Sequence, residues 1–204
     1  MPTIIDYGMG NIGSIKNMFL KLGAGQVTVT SNPEEILGSD KIVLPGVGNF
    51  KKGVDNIDKL NLRSALNCAV LEKRVPVLGI CLGMQLMALG SEEGPGNGLG
   101  WFDARVVPLS DSINTNLKIP HMGWNIIKLK RYSKLFDGLK VGARFYHVHA
   151  YHLLSEDPSD VVCHTHYGID IVTGIEKENI FGVQFHPEKS HMFGMILLKN
   201  FLSL

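Results

Sequence analysis

Short apolar runs alternate with helical patterns through the first half of the chain. Ile4-Ile5 heads a strand that ends at Asp6-Tyr7-Gly8. Ile15, Met18, Phe19 and Leu22 fall on one helical face, and Gly23 stops that helix. Residues 26–30 read as a second strand, with Val27 and Val29 on one side. Asn32-Pro33-Glu34-Glu35 carries the cap, first-turn proline and N3 carboxylate of a helix start. Lys41-Ile42-Val43-Leu44 is a short buried strand broken by Pro45-Gly46. Residues 62–73 have helical spacing through Leu62, Leu66, Ala69 and Val70. Residues 75–80 are nearly all apolar, as in a parallel sheet covered on both faces.

This β-α-β-α order predicts a doubly wound α/β sheet. In such sheets function gathers at the carboxyl ends of the strands. Three strands end in unusual loops there: residues 6–11, 45–49 and 79–83. The second half changes character. A Gly-rich loop over 91–100 is followed by β-like segments at 104–107, 124–129, 144–149 and 161–166. Residues 171–176 and 180–185 flank a Lys-Glu-Asn turn and predict a hairpin. A last helix over 191–202 buries Phe193, Ile196, Leu197 and Phe201. No repeat, low-complexity tract or linker interrupts the chain, so residues 1–204 read as one domain.

Composition narrows the classes. A chain of 204 residues, 45% hydrophobic and 19% charged, is long enough for one packed core and short for two. Its formal net charge of +1 gives no basic footprint for nucleic acid. No apolar run approaches the roughly 20 residues that span a bilayer. The N-terminus lacks a basic start and cleavage site, so a cytoplasmic protein is expected. Three cysteines, Cys68, Cys81 and Cys163, do not make a disulfide framework.

Cys81 stands between an apolar strand and the helical run 84–89, inside Gly79-x-Cys81-x-Gly83. That is a nucleophile-elbow pattern with cysteine for serine. A sharp strand-to-helix turn needs small neighbours. It also brings a helix start and a backbone N–H, that of Leu82, to the thiol. A buried structural cysteine beside turn glycines fits the same short pattern. A thiol hydrolase needs a histidine base and a group to orient it. His186 ends an apolar strand, precedes Pro187, and has Glu188 two residues on, close enough to fold back onto the ring. A turn with a capping glutamate is the alternative. His147 with His149, and His164 with His166, each share a strand face at spacing i, i+2 and could together hold a metal. With no carboxylate inside either pair, polar strand residues are the favoured reading, and no metal or cofactor is expected.

Taken together, Gly79-Ile80-Cys81-Leu82-Gly83-Met84-Gln85 and Gln184-Phe185-His186-Pro187-Glu188 resemble class I, triad-type glutamine amidotransferases. Asp6-Tyr7-Gly8-Met9-Gly10-Asn11, Leu44-Pro45-Gly46-Val47-Gly48, His121-Met122-Gly123-Trp124-Asn125 and Lys189-Ser190 resemble, more narrowly, the glutaminase subunits of imidazole glycerol phosphate synthases. The resemblance implies a mostly parallel sheet flanked by helices, with an antiparallel β extension. It implies a catalytic triad of Cys81, His186 and Glu188. It implies an oxyanion hole from the Leu82 N–H and the peptide around Val47 and Gly48. Gly46, Gly83 and Gln85 would line a glutamine pocket. Asn11, His121, Trp124 and Asn125 would face a (β/α)8 synthase subunit in a heterodimer, which would receive the ammonia. Some positions depart from the pattern. Ala150 and His147 stand in the Val-His-Ser-Tyr region, Asn49 stands where a small residue is common, and residues 99–103 and 188–195 resemble a branch found with sugar-modifying synthases. The departures leave the glutaminase chemistry untouched and the ammonia acceptor open between the two pathways.

Overall fold

The computed structural model describes residues 1–113 and 117–204. In chain order the elements are β1 (Pro2–Ile5), α1 (Ile12–Lys21), β2 (Thr28–Thr30), α2 (Pro33–Leu37), β3 (Lys41–Leu44), α3 (Phe50–Lys59) and α4 (Leu62–Asn67). Next come β4 (Val77–Ile80), α5 (Leu82–Gln85), β5 (Gly90–Ser91), β6 (Gly94–Asn97), β7 (Ala104–Pro108) and α6 (Leu109–Ser112). The rest is β8 (His121–Leu129), β9 (Arg144–His149), β10 (Tyr151–Ser155), β11 (Val161–Tyr167), β12 (Ile169–Lys177), β13 (Ile180–Val183) and α7 (His191–Ser203).

The strands β2-β1-β3-β4-β13 run parallel in that order. From β13 the sheet continues antiparallel through β12, which pairs with both β10 and β11. β11 carries β8, and β8 carries β9. The expected α/β architecture with an antiparallel extension is therefore what the chain adopts. Alternation along the central strands sends neighbours into opposite layers. Ile5, Leu44 and Val77 pack with α3 and α4 residues such as Phe50 and Leu66. Ile4, Val43 and Leu78 pack with Phe19 of α1 and Leu197 and Phe201 of α7.

Local chemistry explains most boundaries. The Asn32 side chain caps α2 by accepting from the Glu34 N–H at 3.0 Å, with Pro33 in the first turn. Several expected boundaries shift. The strand expected over 26–30 begins at Thr28, and the one over 75–80 at Val77. The helix expected over 62–73 continues past Asn67 only as a π-helical turn, Cys68–Glu72. The 91–100 loop contains β6 and part of β5. The helical run at 84–89 is really the single turn α5, so a helix macrodipole behind Cys81 is weak.

α3, the short α6 and β10 were not anticipated. α3 buries Phe50, Val54 and Ile57, and its cap is Asn49, which accepts from the Lys52 N–H at 3.1 Å. The signal was present as an Asn cap followed by apolar residues at i+1, i+5 and i+8. Its Lys-Lys-Gly opening obscured it. β10 was hidden by its proximity to β9, from which only Ala150 separates it.

Candidate active site

β4 is buried along its whole length and delivers Cys81 at its carboxyl end. The Cys81 N–H still reaches the Val183 carbonyl at 2.7 Å, so the sheet holds the residue up to its amide. Beyond that the chain turns sharply: Cys81 has φ 54° and ψ −110°, a conformation rare for any residue with a side chain. The flanking glycines make the turn possible. A Cβ on Gly79 would lie 2.8 Å from the Gly83 carbonyl carbon and from the Met84 nitrogen. A Cβ on Gly83 would lie 1.8 Å from the Leu44 carbonyl oxygen. The elbow is thus pressed against the end of β3, where the 45–49 loop begins. Gly46 is held as tightly, since its Cβ would lie 2.8 Å from the Gly83 nitrogen.

His186 follows β13 and is tied to β9 by its N–H, which donates to the Tyr146 carbonyl at 2.9 Å. The strand expected over 180–185 ends at Val183, and Pro187 starts a short 3-10 turn that carries Glu188 back toward the ring. The His186 Nδ1 and Glu188 Oε1 lie 2.8 Å apart, both side chains almost wholly buried. Nε2 is also buried and is left without a hydrogen-bond partner of good geometry. Burial opposes a charge on this ring, but interactions with Cys81 and Glu188 outweigh it and raise the His186 pKa above its ordinary value.

Gln184 donates from Nε2 to the Cys81 sulfur at 3.6 Å. Its Oε1 accepts from Gln85 Nε2 at 3.0 Å, and Gln85 Nε2 also reaches the Tyr151 carbonyl at 3.3 Å. Cys81 opens onto a cavity of about 300 Å³ lined by Val47, Gly48, Leu82, Gln85, Glu93, Pro120 and residues 148–151. Gly48 sits at φ +122°, which an L side chain seldom adopts. Leu82 opens α5, so its N–H has no partner within the helix. Tyr7 braces the loop from below, its buried hydroxyl donating to the Pro45 carbonyl.

The cavity therefore gathers Cys81, Leu82, Gln85, Val47 and Gly48, with Gly46 and Gly83 packed behind it. Asn11, at the start of α1, and Trp124 and Asn125, on β8, lie outside its lining. His121 was expected to face a partner, and the structure corrects this. It points inward and is only 2% exposed, on the side of the strand that also buries Ile127, while Met122, Trp124 and Ile126 are exposed. Glu93 was missed: it lines the cavity and accepts from the Phe50 N–H at 2.7 Å. Nothing local in its Gly-rich surroundings marked it. Gln184 lies within the Gln-Phe-His-Pro-Glu motif, whose local pattern gives it no role of its own.

The two histidine pairs do not meet in one metal-ligating group. His166 is exposed and bonds Asp170 at 2.8 Å. Instead His121, His147 and His149 bring ring nitrogens within 4.8 Å of one another. Their protons argue against a metal. The His149 Nδ1 must donate to the Tyr151 carbonyl at 2.8 Å, so its Nε2 accepts from His121 Nδ1 at 3.1 Å. His121 Nε2 then accepts from the Asn125 amide at 3.2 Å. A metal on His121 Nδ1 would drive a proton to Nε2, against that N–H. Burial holds His121 and His149 low, at about 4 and about 3, so both are neutral near pH 7.

An elbow cysteine opens onto a glycine-braced cavity of a doubly wound sheet that also carries a buried His–Glu pair. The family model for class-I glutamine amidotransferases matches residues 3–203. A solved glutamine amidotransferase superposes with a TM-score of 0.76 at 17% identity, covering 98% of this chain and 97% of that one. The imidazole glycerol phosphate synthase subunit HisH 2 of Methanococcus maripaludis is 47% identical over 202 residues, 99% of this chain and 98% of that protein. The protein of the same name from Pseudomonas aeruginosa is 42% identical over 204 residues, the full length of both. The chain is a class-I glutamine amidotransferase and belongs, within that family, to the HisH subunits of imidazole glycerol phosphate synthase.

Proposed function

We propose that this single-domain chain hydrolyses glutamine at Cys81 and passes the ammonia to a (β/α)8 synthase subunit, its partner in a heterodimer that makes imidazole glycerol phosphate and AICAR in histidine biosynthesis. The observation that carries the chemistry is the buried His186–Glu188 pair, which leaves the His186 Nε2 without a partner just beyond β13, the strand that pairs with β4 and holds the Cys81 N–H. The pathway rests on the full-length identity to HisH subunits.

Glutamine enters with its amide carbon over Cys81. His186 Nε2 takes the thiol proton and sulfur attacks the carbon. The N–H of Leu82 and the peptide around Val47 and Gly48 hold the oxyanion. His186 returns the proton to the departing nitrogen, the C–N bond breaks, and ammonia leaves a glutamyl thioester. Water then attacks the thioester with His186 as base, releasing glutamate and the thiol. Glu188 orients His186 and stabilises its charged form. Gly46, Gly83 and Gln85 shape the glutamine pocket. Asn11, Trp124 and Asn125 face the synthase subunit. No cofactor or metal takes part in this half-reaction.

The test is glutamate release by the chain with and without the purified synthase subunit and its acceptor, beside Cys81→Ala. Cys81→Ala is expected to be inactive yet folded, and turnover near wild type would overturn the triad. A glutamine analogue carrying an electrophile at the amide position is expected to label Cys81, and not Cys163, whose thiol burial pushes up to about 12. Acceleration by a sugar-amidinating synthase, and not by the imidazole-forming one, would overturn the pathway and leave the chemistry standing.

A further inference from the structure

The end of β13 grips Cys81 at two points. The Val183 carbonyl accepts from the Cys81 N–H at 2.7 Å, and the Gln184 amide donates from Nε2 to the Cys81 sulfur at 3.6 Å. The strand register sets this up. Val183 lies beside Ile80 in the parallel β13–β4 ladder, so the next residue on one chain is Gln184 and on the other Cys81. The Cys81 backbone is fixed at φ 54° and ψ −110°. What remains free is χ1, the torsion that decides where the sulfur points. The Gln184 N–H acts on that torsion. On its other side the sulfur lies 4.0 Å from the Val148 carbonyl, and Val148 lines the cavity.

The Gln184 amide is aimed by groups other than Cys81. A carbonyl only accepts, so Gln85 must turn Nε2 to the Tyr151 carbonyl, 3.3 Å away. The same Nε2 donates to Gln184 Oε1 at 3.0 Å, which leaves Gln184 Nε2 facing the sulfur. The Gln184 backbone N–H donates to the Thr173 carbonyl at 3.1 Å, so this side chain is anchored at both ends. Gln184 is wholly buried, between the equally buried Val183 and Phe185. A polar side chain there costs stability unless its hydrogen bonds are made. The pairing with Gln85 accounts for its oxygen. Its nitrogen serves the sulfur.

We propose that Gln184 is a positioning residue for the nucleophile: its N–H holds the Cys81 sulfur in the rotamer that meets a bound glutamine amide. This rests on the reading of Cys81 as nucleophile. The elbow determines where the Cα stands, and the Gln184 donor determines where the sulfur points. Without the N–H the sulfur spreads over its staggered positions, and only part of the population is placed to attack.

The test uses the full chain with its synthase subunit and the variant Gln184→Met, which keeps the length of the side chain and removes the donor. Two reagents are compared at one pH, with modification of Cys81 followed by mass spectrometry. One is a glutamine analogue with a diazoketone in place of its amide, which reacts only from the pocket. The other is iodoacetamide, which needs no fixed approach. The saturating rate of labelling by the analogue should fall about threefold to tenfold, the weight of one ordinary hydrogen bond. The analogue concentration giving half that rate should stay within about twofold, because the contacts that bind it are untouched. Alkylation by iodoacetamide should also stay within about twofold, since a small reagent does not depend on a single alignment. A wild-type rate with the analogue would overturn the proposal. Equal slowing of both reagents would overturn it too, because a loosened elbow or a less reactive sulfur affects both alike. If Gln184→Met does not fold, Gln184→Leu should show the same split, and a wild-type analogue rate there overturns the proposal. The site of labelling separates the two readings. Label on Cys81 at the wild-type rate in Gln184→Met sinks only the positioning role, whereas analogue label that avoids Cys81 in the wild-type chain sinks the nucleophile.

Discussion

Gly83→Ala is the substitution whose consequence follows most directly from the geometry. The added Cβ would stand 1.8 Å from the Leu44 carbonyl oxygen and 2.7 Å from its carbon. A carbon and a carbonyl oxygen settle at about 3.3 Å or more, so the elbow and the end of β3 must part by roughly 1.5 Å. Both sides of the contact are backbone, and neither can escape by changing rotamer. Overpacking of this kind costs about 1–3 kcal/mol, and the upper end applies here. The displacement falls between Cys81 and the Val47–Gly48 loop, and a misplacement near 1 Å costs about 10²-fold in rate. Urea unfolding should show a lower midpoint with an unchanged slope, and glutaminase assays should show kcat/KM down about a hundredfold. Gly13→Ala supplies the contrast. It lies in α1, nothing stands within 4 Å of its added Cβ, and it should gain about 0.4–1 kcal/mol with activity retained. Gly83→Ala within about 0.5 kcal/mol of wild type and fully active would refute the argument that this contact requires glycine.

Two further outcomes concern charge and the loop. Glu188→Gln should keep KM but lower kcat. Its stability deficit, about 2 kcal/mol for a hydrogen bond to a charged group, should be widest below pH 6.5. Because the folded-state pKa of His186 is raised, its contribution is complete below the free value of 6.5 and is lost as pH rises through the folded value, so unfolding measured from pH 5 to 9 should show the gap closing. A gap that widens with pH would contradict the pairing. Gly48→Val should blunt acceleration by the synthase subunit with little change in glutamine binding, since φ +122° is closed to a β-branched residue. Stimulation equal to wild type would show that the loop need not hold that conformation.

The chemistry was legible in the sequence because the elbow and the His-Pro-Glu turn are local devices. The spacing of Gly79, Cys81 and Gly83 and of His186 and Glu188 determines geometry within a few residues, whatever surrounds them. The alternating apolar runs likewise determined the layers, since Ile4 and Ile5, or Val43 and Leu44, must point to opposite faces of a strand. The parts decided by tertiary structure depend on contacts distant in the chain. His121 meets His149 across a ladder 28 residues apart, and Gln85 meets Gln184 across 99. Glu93 reaches the cavity only because it ties to the start of α3. Periodicity places a residue on a face. It does not say which other strand that face will meet, and so His121 read as a surface residue until the β8–β9 pairing turned it inward.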